Sequence, residues 1–558
     1  MSQTRTTLFG ALLLPVLLFT ACDDGAGTGP SALGVPSGVS AAATTQSSIT
    51  VQWNVASNAT GYVVERSSGG ASFAPVGTVT APGYQDSGLA PDTEYRYRIA
   101  STRGTDRSGY SPELVARTAV AGARAAVIDA DITSNRTLHA DTVYTLKGFI
   151  HVANGATLTI QAGTRILGDY NTLGSSLFVM RGARIVANGT AAAPIVFTSS
   201  RPEGQRQPGD WGGLVVVGNG VINRGGSIAL EGTGTGASNP SITYSGGTDN
   251  GDNSGSLRYV RVEFAGFGPA ADQELNSFTF AAVGSGTTLE YLQSLAGLDD
   301  SFEWFGGAVD GRYLVSYESG DDHFDMSEGY VGRLQHLIAY QSKVLTPRPG
   351  AGGTSSDPQG IENDGCAGAG CAAGQLSTPF TTPVVANFTL IGTGTGHVDA
   401  TSGGVGMVLR RGTGGHYING VVARWPKGAV SIRDTVNTNQ RIRAGEFLLQ
   451  HVYMSDNGGV TFQAGTDRTA LDAGANAIVA GTAAAAALFN ALPTDPNSGA
   501  QFDWTPAAGS PIRTGGMATL SAAVAQRAGA FVTGSAYVGA ADPAGAKWWQ
   551  NWTSYADN

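Results

Sequence analysis

From residue 124 onward the chain consists of apolar-alternating fragments three to six residues long, separated by Gly, Asn and Asp. Alternation at period two marks strands, and those three residues form turns. Ala156–Ile160 is followed by Ala162–Leu167, and Phe178–Val179 by Arg181–Val186, with Gly163 and Gly182 aligning at an offset of 19. Pro194–Thr198 and Trp211–Val217 continue the series. The clearest repeat is central. Leu289–Glu303 read against Gly311–Asp325, 22 residues on, matches Tyr291, Leu292, Ser294, Asp299, Asp300 and Phe302 with their own residue types. Leu257–Phe264 matches the strand part 32 residues earlier, as an inserted loop would give. A degenerate repeat near twenty residues predicts the turns of a right-handed parallel β-helix, which cannot seal a core singly and so stack to share one.

Stacking in register makes specific predictions. Tyr259, Tyr291 and Tyr313 should form a ladder at one strand interval, ~4.8 Å. Val260, Val262 and Phe264 should point one way, and Arg261 and Glu263 the other. Residues 343–382, rich in Gly, Pro and Ser, read as a long loop; strands resume at Val384–Leu390, Gly406–Arg410 and Tyr417–Val422. The Ala-rich stretch 470–492 is the one helical candidate, placed to cover strand edges at an open end.

Residues 34–119 have a different rhythm, with strands at Ser48–Trp53, Gly61–Arg66 and Thr93–Ile99. Trp53, Tyr62 and the corner Leu89-Ala-Pro-Asp-Thr-Glu-Tyr95 make this segment resemble a fibronectin type III domain, which implies a β-sandwich acting as a spacer. Arg103-Gly-Thr-Asp106 is not an Arg-Gly-Asp triplet, so no integrin-like contact is inferred.

Composition narrows the classes. Charged residues are 14% and hydrophobic residues 41%, which excludes a disordered polyelectrolyte. Gly is 81 of 558 without a triplet period, which excludes collagen and opposes an all-helical chain. Net charge is -10 with no basic run, which argues against nucleic acid as a partner. Arg5 precedes an apolar stretch from Leu8 to Phe19, too short to span a bilayer. It ends in Phe19-Thr-Ala-Cys22, which resembles a bacterial lipobox. The resemblance implies a lipoprotein signal peptide over 1–22, lipid on Cys22, a tether over 23–33 and a membrane partner through that anchor. The implied location is the cell envelope, at the outer membrane or cell surface. Cys366 and Cys371, in a Gly/Ala loop, would pair as a small disulfide in an oxidising compartment.

The coiled region resembles a family of exported β-helix proteins of Bacteroidota and related phyla. The matching segments are Asn253–Val260, Val283–Tyr291, Asp299–Gly307, Gly320–Gly329, Trp211–Leu214 and Tyr537–Ala540, with Trp548 and Trp552. The expectation is an all-β chain: an N-terminal fibronectin type III sandwich, a right-handed parallel β-helix over 124–480, and its C-terminal end and cap over 481–558.

The chemistry concentrates in acids. One turn supplies Asp299, Asp300 and Glu303, and the next Asp321, Asp322, Asp325 and Glu328. Glu362 and Asp364 follow, and His323 sits beside the Asp pair. In-register stacking brings like carboxylates to ~5 Å, where they repel and raise one another's pKa. A hard cation relieves that, and Ca2+ accepts six to eight oxygens. The first seven acids are therefore candidate Ca2+ ligands, with Glu362, Asp364 and His323 as further ligand-site residues. Turn chemistry, with Asp oxygens bonding loop amides, is the competing reading. Catalysis is a third, since paired carboxylates serve glycosidases. Gly320-Asp-Asp322 looks like the paired-Asp motif of polygalacturonase-type β-helices, but the Gly-His-Gly that follows in those is absent. Pectate-lyase-type β-helices pair Ca2+ with a basic residue, for which Arg312, Arg333 and Lys343 are candidates. His323 as a solvated turn residue is favoured over a base. Trp304, Trp425, Trp548 and Trp549 are read as packing rather than a sugar platform.

The expected function is a cell-surface, non-catalytic binding or adhesion scaffold for polysaccharide or another envelope protein, with Ca2+ on the acidic turns. The alternatives are a polysaccharide lyase or glycoside hydrolase using the same acids, and a purely structural envelope component.

Overall fold

The structure is a computed structural model of the 558-residue chain. It describes residues 32–555 apart from 45, 69–70, 119–121, 123, 237–238, 271–272, 356–357, 395–403, 463–464 and 474–477. The signal-peptide and Cys22 readings lie outside the described residues.

Among the described residues two compact units separate: 32–39, 52–84 and 95–115 form one, and 40–51, 85–94 and 116–555 the other. The smaller unit is organised by an antiparallel sheet in the order Ala74–Val79, Gly61–Ser68, Glu94–Arg103, Asp106–Arg107, with Leu114–Arg117 beside Glu94–Arg103. Trp53 and Tyr62 meet edge-on at 5.3 Å in its core, and the Tyr62 hydroxyl accepts the Ala56 N–H at 3.0 Å.

The larger unit carries a three-stranded sheet of Ser40–Thr44, Ser48–Gln52 and Tyr84–Ser87, and then a long parallel coil. One sheet of fifteen strands begins at Arg124–Ile128 and reaches Ile478–Ala480; a second, of ten strands, runs from Phe149–Val152 to Val460–Phe462. Successive coils alternate between them. In the early coils the fifteen-stranded sheet has two separate strands per coil. Gly255–Glu263 fuses them, pairing with Arg184–Asn188 through its first half and with Ile195–Ser199 through its second. Tyr259 at the join has φ +49°. The next six coils repeat the device, with Tyr291, Tyr313, His336, Asn387, Asn419 and His451 all at positive φ in mid-strand. This left-handed residue resets the alternation. Leu257 and Val260, three apart, are both buried, and the file Val260, Leu292, Leu314, Leu337, Phe388 fills the interior.

The tyrosine ladder forms. Tyr259 and Tyr291 stack at 4.3 Å, Tyr291 and Tyr313 at 4.5 Å, and His336 extends it at 5.0 Å. Other expectations are corrected. The 19-residue alignment is not the register: Leu158 pairs with Ile185 and Ile166 with Phe197, because inserted turns vary the coil length. Phe264 leaves the interior file, since a positive φ of 58° turns it into a separate cluster with Leu295 and Tyr317. The expected loop contains a fully buried strand, Gln359–Asp364, whose polar sequence concealed it. Among its described residues the Ala-rich stretch yields the short helices Arg468–Ala473 and Ala485–Leu488 with a strand between them; Thr435–Arg443 and Ala522–Ala528 are helices the periodicity did not show.

Beyond residue 510 the chain doubles back along the line of bends. The Gly515 carbonyl meets His451 Nδ1 at 2.7 Å, and Ser535 accepts from Asn387 and Asn419. The Ala540 carbonyl meets His336, and Trp552 lies edge-on to Tyr291 and Tyr259.

Candidate functional site

The acids lie on and beside the outer side of the ten-stranded sheet. Parallel pairing puts Thr279, Glu303, Asp325 and Glu362 in one file, each one coil above the last. The alternating positions point inward, where Phe302 stacks between Phe278 at 4.9 Å and Phe324 at 5.5 Å, and Trp304 packs on Phe280 and Tyr330. Strand periodicity thus separates an aromatic interior from a carboxylate exterior.

Three groups of carboxylates have ligand oxygens within 4.8 Å of one another: Asp299, Asp300 and Asp321; Asp300, Glu303 and Asp325; Asp322, Asp325 and Glu362. Each group spans two successive coils. Burial first, and neighbouring carboxylates second, hold Asp299, Asp300, Glu303, Asp322 and Asp325 well above the usual carboxylate range. Burial and then Asp364 push Glu362 up to about 8, with Arg410 opposing. Asp325 Oδ1 is buried without a hydrogen-bond partner. A set of desolvated carboxylate oxygens suits a hard, oxygen-seeking cation.

Turn chemistry accounts for part of the same cluster. Asp300 Oδ1 accepts the Asp322 N–H at 2.8 Å, and Asp322 Oδ1 accepts the Gln359 N–H at 2.5 Å. Glu303 Oε2 accepts from Asn276 Nδ2 at 2.5 Å.

Three expected site residues stand apart. Glu328 is ion-paired with Arg224 and accepts the Tyr244 hydroxyl at 2.6 Å, so it faces a cation of the protein instead of the carboxylate groups. Asp364 is bound by Arg410 Nε at 2.6 Å and by Arg411. His323 is not a solvated turn residue: it is 1% exposed, with Nδ1 2.5 Å from Ser316 Oγ, a residue of the opposite sheet. Burial lowers its pKa to about 3. The basic candidates are also elsewhere. Arg312 and Arg333 sit in the fifteen-stranded sheet, on Glu290 and Asp310.

Arg410, which sequence reasoning passed over, is the guanidinium at the acidic face, pairing with both Glu362 and Asp364. Its place follows from the register Asp364↔Arg410, 46 residues apart, which no short repeat displays. Glu231 and Glu274 were also missed. Burial and then the charge of Glu274 raise Glu231 to about 8, and Glu231 and Glu274 in turn raise Asp299. Both come from segments inserted between coils. Cys366 and Cys371 form a disulfide. Trp304, Trp425 and Trp549 are buried packing residues.

Comparison with known proteins agrees with this architecture. Residues 130–503 match a family model described as a pectate-lyase-like β-helix domain, and residues 34–117 match the fibronectin type III domain. The chain is 37% identical over 81 residues to a poly(3-hydroxybutyrate) depolymerase of Ralstonia pickettii, spanning 14% of this chain and only 15% of that protein's length. Among solved structures, an Fn3-like protein from Clostridium thermocellum is 28% identical, with 14% of this chain and 86% of that one covered and a TM-score of 0.13. The fn3 domain of human collagen alpha-1(XX) is also 28% identical, with 18% and 95% covered and a TM-score of 0.15.

Proposed function

We infer the function from one premise: the chain belongs to the pectate-lyase-like β-helix domain family. The protein is a non-catalytic binding scaffold of the cell envelope that takes up Ca2+ on its acidic face and holds an acidic polysaccharide there. The observation that carries this reading is the three carboxylate groups whose ligand oxygens lie within 4.8 Å on successive coils. Ca2+ would neutralise Asp299, Asp300, Glu303, Asp321, Asp322, Asp325 and Glu362 and leave coordination positions for carboxylates of a polymer. Arg410 would stay a fixed cation at one margin.

Two facts favour binding over cleavage. His323 is inside the coil and its burial keeps it neutral, so it cannot meet a polymer outside. Arg410 is held charged by Asp364 and Glu362, which makes it an anchor and a poor proton acceptor. The fibronectin type III domain serves as a spacer, and lipid on Cys22 would tether the chain.

Calorimetric titration of Ca2+ into chelator-treated protein from residue 23, beside an Asp325→Asn/Glu362→Gln variant, tests the reading. Saturable binding that is lost in the variant supports it, and no binding to the wild type sinks it. Release of unsaturated or reducing ends from an acidic polysaccharide with Ca2+ present would replace the scaffold by an enzyme. Failure of Cys22→Ser to reduce labelled lipid incorporation would remove the anchor.

A further inference from the structure

A concavity lies at the corner where the long strands end, and none of the acidic-face carboxylates lines it. Phe264, Ala296 and Glu318 stand at this corner on successive coils, each at positive φ. Positive φ ends the strands and turns the chain outward, which opens a cavity of about 180 Å³. Its walls are apolar on one side, with Phe264, Leu295 and Leu345, and the C-terminal return contributes Tyr555. Arg206 and Lys343 supply the positive charge, and Glu318 is the acid in the lining.

Arg206 is the unusual member. It is 9% exposed, yet the one carboxylate within 4.0 Å of it among the described residues is Glu203, which approaches only to 4.0 Å. Arg206 Nε donates to the Arg201 carbonyl at 3.0 Å, which fixes the guanidinium without neutralising it. Burial lowers its pKa. A buried cation without a close counter-ion is costly, and a planar guanidinium pairs best with a carboxylate through two parallel bonds. Glu318 does not fill that role: its oxygens accept from the Ser342 N–H and hydroxyl and from the Tyr555 hydroxyl at 2.7 Å.

We propose that this cavity is a binding site for a small organic carboxylate, its anionic end on Arg206 and its apolar body against Phe264, Leu295 and Leu345. The site uses none of the acidic-face residues, so it stands whether or not the protein binds Ca2+.

Calorimetry or ligand-observed NMR on the full chain with glucuronate and butyrate tests this, with sulfate, phosphate and glucose as controls. Saturable binding of a carboxylate, absent for glucose and weakened at least tenfold in Arg206→Gln, is expected; Arg206→Lys should recover part of it. Because Arg206 is buried, Val344→Trp provides a second variant. Val344 lines the cavity and is 51% exposed, so the indole should block entry without disturbing the core. No carboxylate binding at millimolar concentration overturns the proposal. So does binding unaffected by Val344→Trp, or sulfate and phosphate binding tighter than either carboxylate.

Discussion

Asp300 Oδ1 accepts the backbone N–H of Asp322, 22 residues and one coil later, at 2.8 Å. Asp322 repeats the bond to Gln359 on the coil after that. Each carboxylate therefore gives one oxygen to the coil-to-coil turn and keeps the other for the acidic face. Removing the acceptor strands a buried N–H, so Asp300→Ala should cost ~1–3 kcal/mol of stability, while Asp300→Asn, which retains an oxygen, should cost less. Equal losses in thermal or urea melts would contradict the turn role.

Without a cation, the file of Glu303, Asp325 and Glu362 carries the cost of burying and crowding carboxyls, met by retained protons near neutral pH and by mutual repulsion above about pH 8. Asp325→Asn/Glu362→Gln should raise the melting temperature in chelator by relieving that cost. The same variant should lose the rise that Ca2+ gives the wild type. A variant less stable than wild type in chelator would show that the carboxylates are satisfied without a cation.

Stability in chelator should depend on pH with a defined sign. Glu231 and Glu362 have folded pKa values of about 8 against 4.5 for the free residue. An acid with a raised folded pKa binds its proton more tightly when folded, so its contribution is present at low pH and is lost as pH rises from about 4.5 to about 8. Melting temperature should therefore climb as pH falls from 8. Below about 6.5 the buried histidines oppose this, because His323 has a folded pKa of about 3, and His336 and His416 of about 4. A melting temperature that falls between pH 8 and 6.5 in chelator would refute the raised carboxyl values.

Tyr291 combines strain and stacking. Its φ of 56° is unfavourable for a bulky residue, yet its ring lies between Tyr259 and Tyr313. Asn tolerates that backbone, but Tyr291→Asn forfeits three ring pairs, the edge-on contact with Trp552 included, worth about 0.5–1.5 kcal/mol each, and buried area as well. A net loss of about 1–3 kcal/mol is expected in urea melts. A gain would mean that bend strain outweighs the ladder.

Arg410, its side chain only 23% exposed, should matter to stability because it neutralises Glu362 and Asp364. Arg410→Met should destabilise the chelated protein by about 3 kcal/mol, the cost typical of stripping a partner from a buried pair. Ca2+ should restore part of the loss, read as a larger cation-induced shift in melting temperature than wild type shows.

Much of the coil was legible because Tyr291, Asp299 and Asp300 recur 22 residues on, and parallel pairing converts that spacing into contact. The file of Glu303 and Asp325 followed from the same arithmetic. Legibility ended where the chain left the period. Glu231 and Glu274 arrive on insertions whose length carries no register. Arg410 reaches Asp364 only through a 46-residue coil. His323 failed for another reason: at the corner before Asp325–Ser327 the two-residue alternation has no fixed phase, so inside and outside could not be told apart. Gln359–Asp364 lacked the apolar signature because its outward positions are the acidic file itself.

The C-terminal return has a mechanical consequence. A bare coil pulled from its end can peel one turn at a time, each rupture loading only the next. Here Gly515 is bonded to His451, Ala540 to His336 and Arg261 to the Trp552 carbonyl, so the return runs alongside nearly two hundred residues of coil. Force applied near residue 510 is shared among those attachments in parallel, and the returning segment must be torn away before the turns beneath it can unwind.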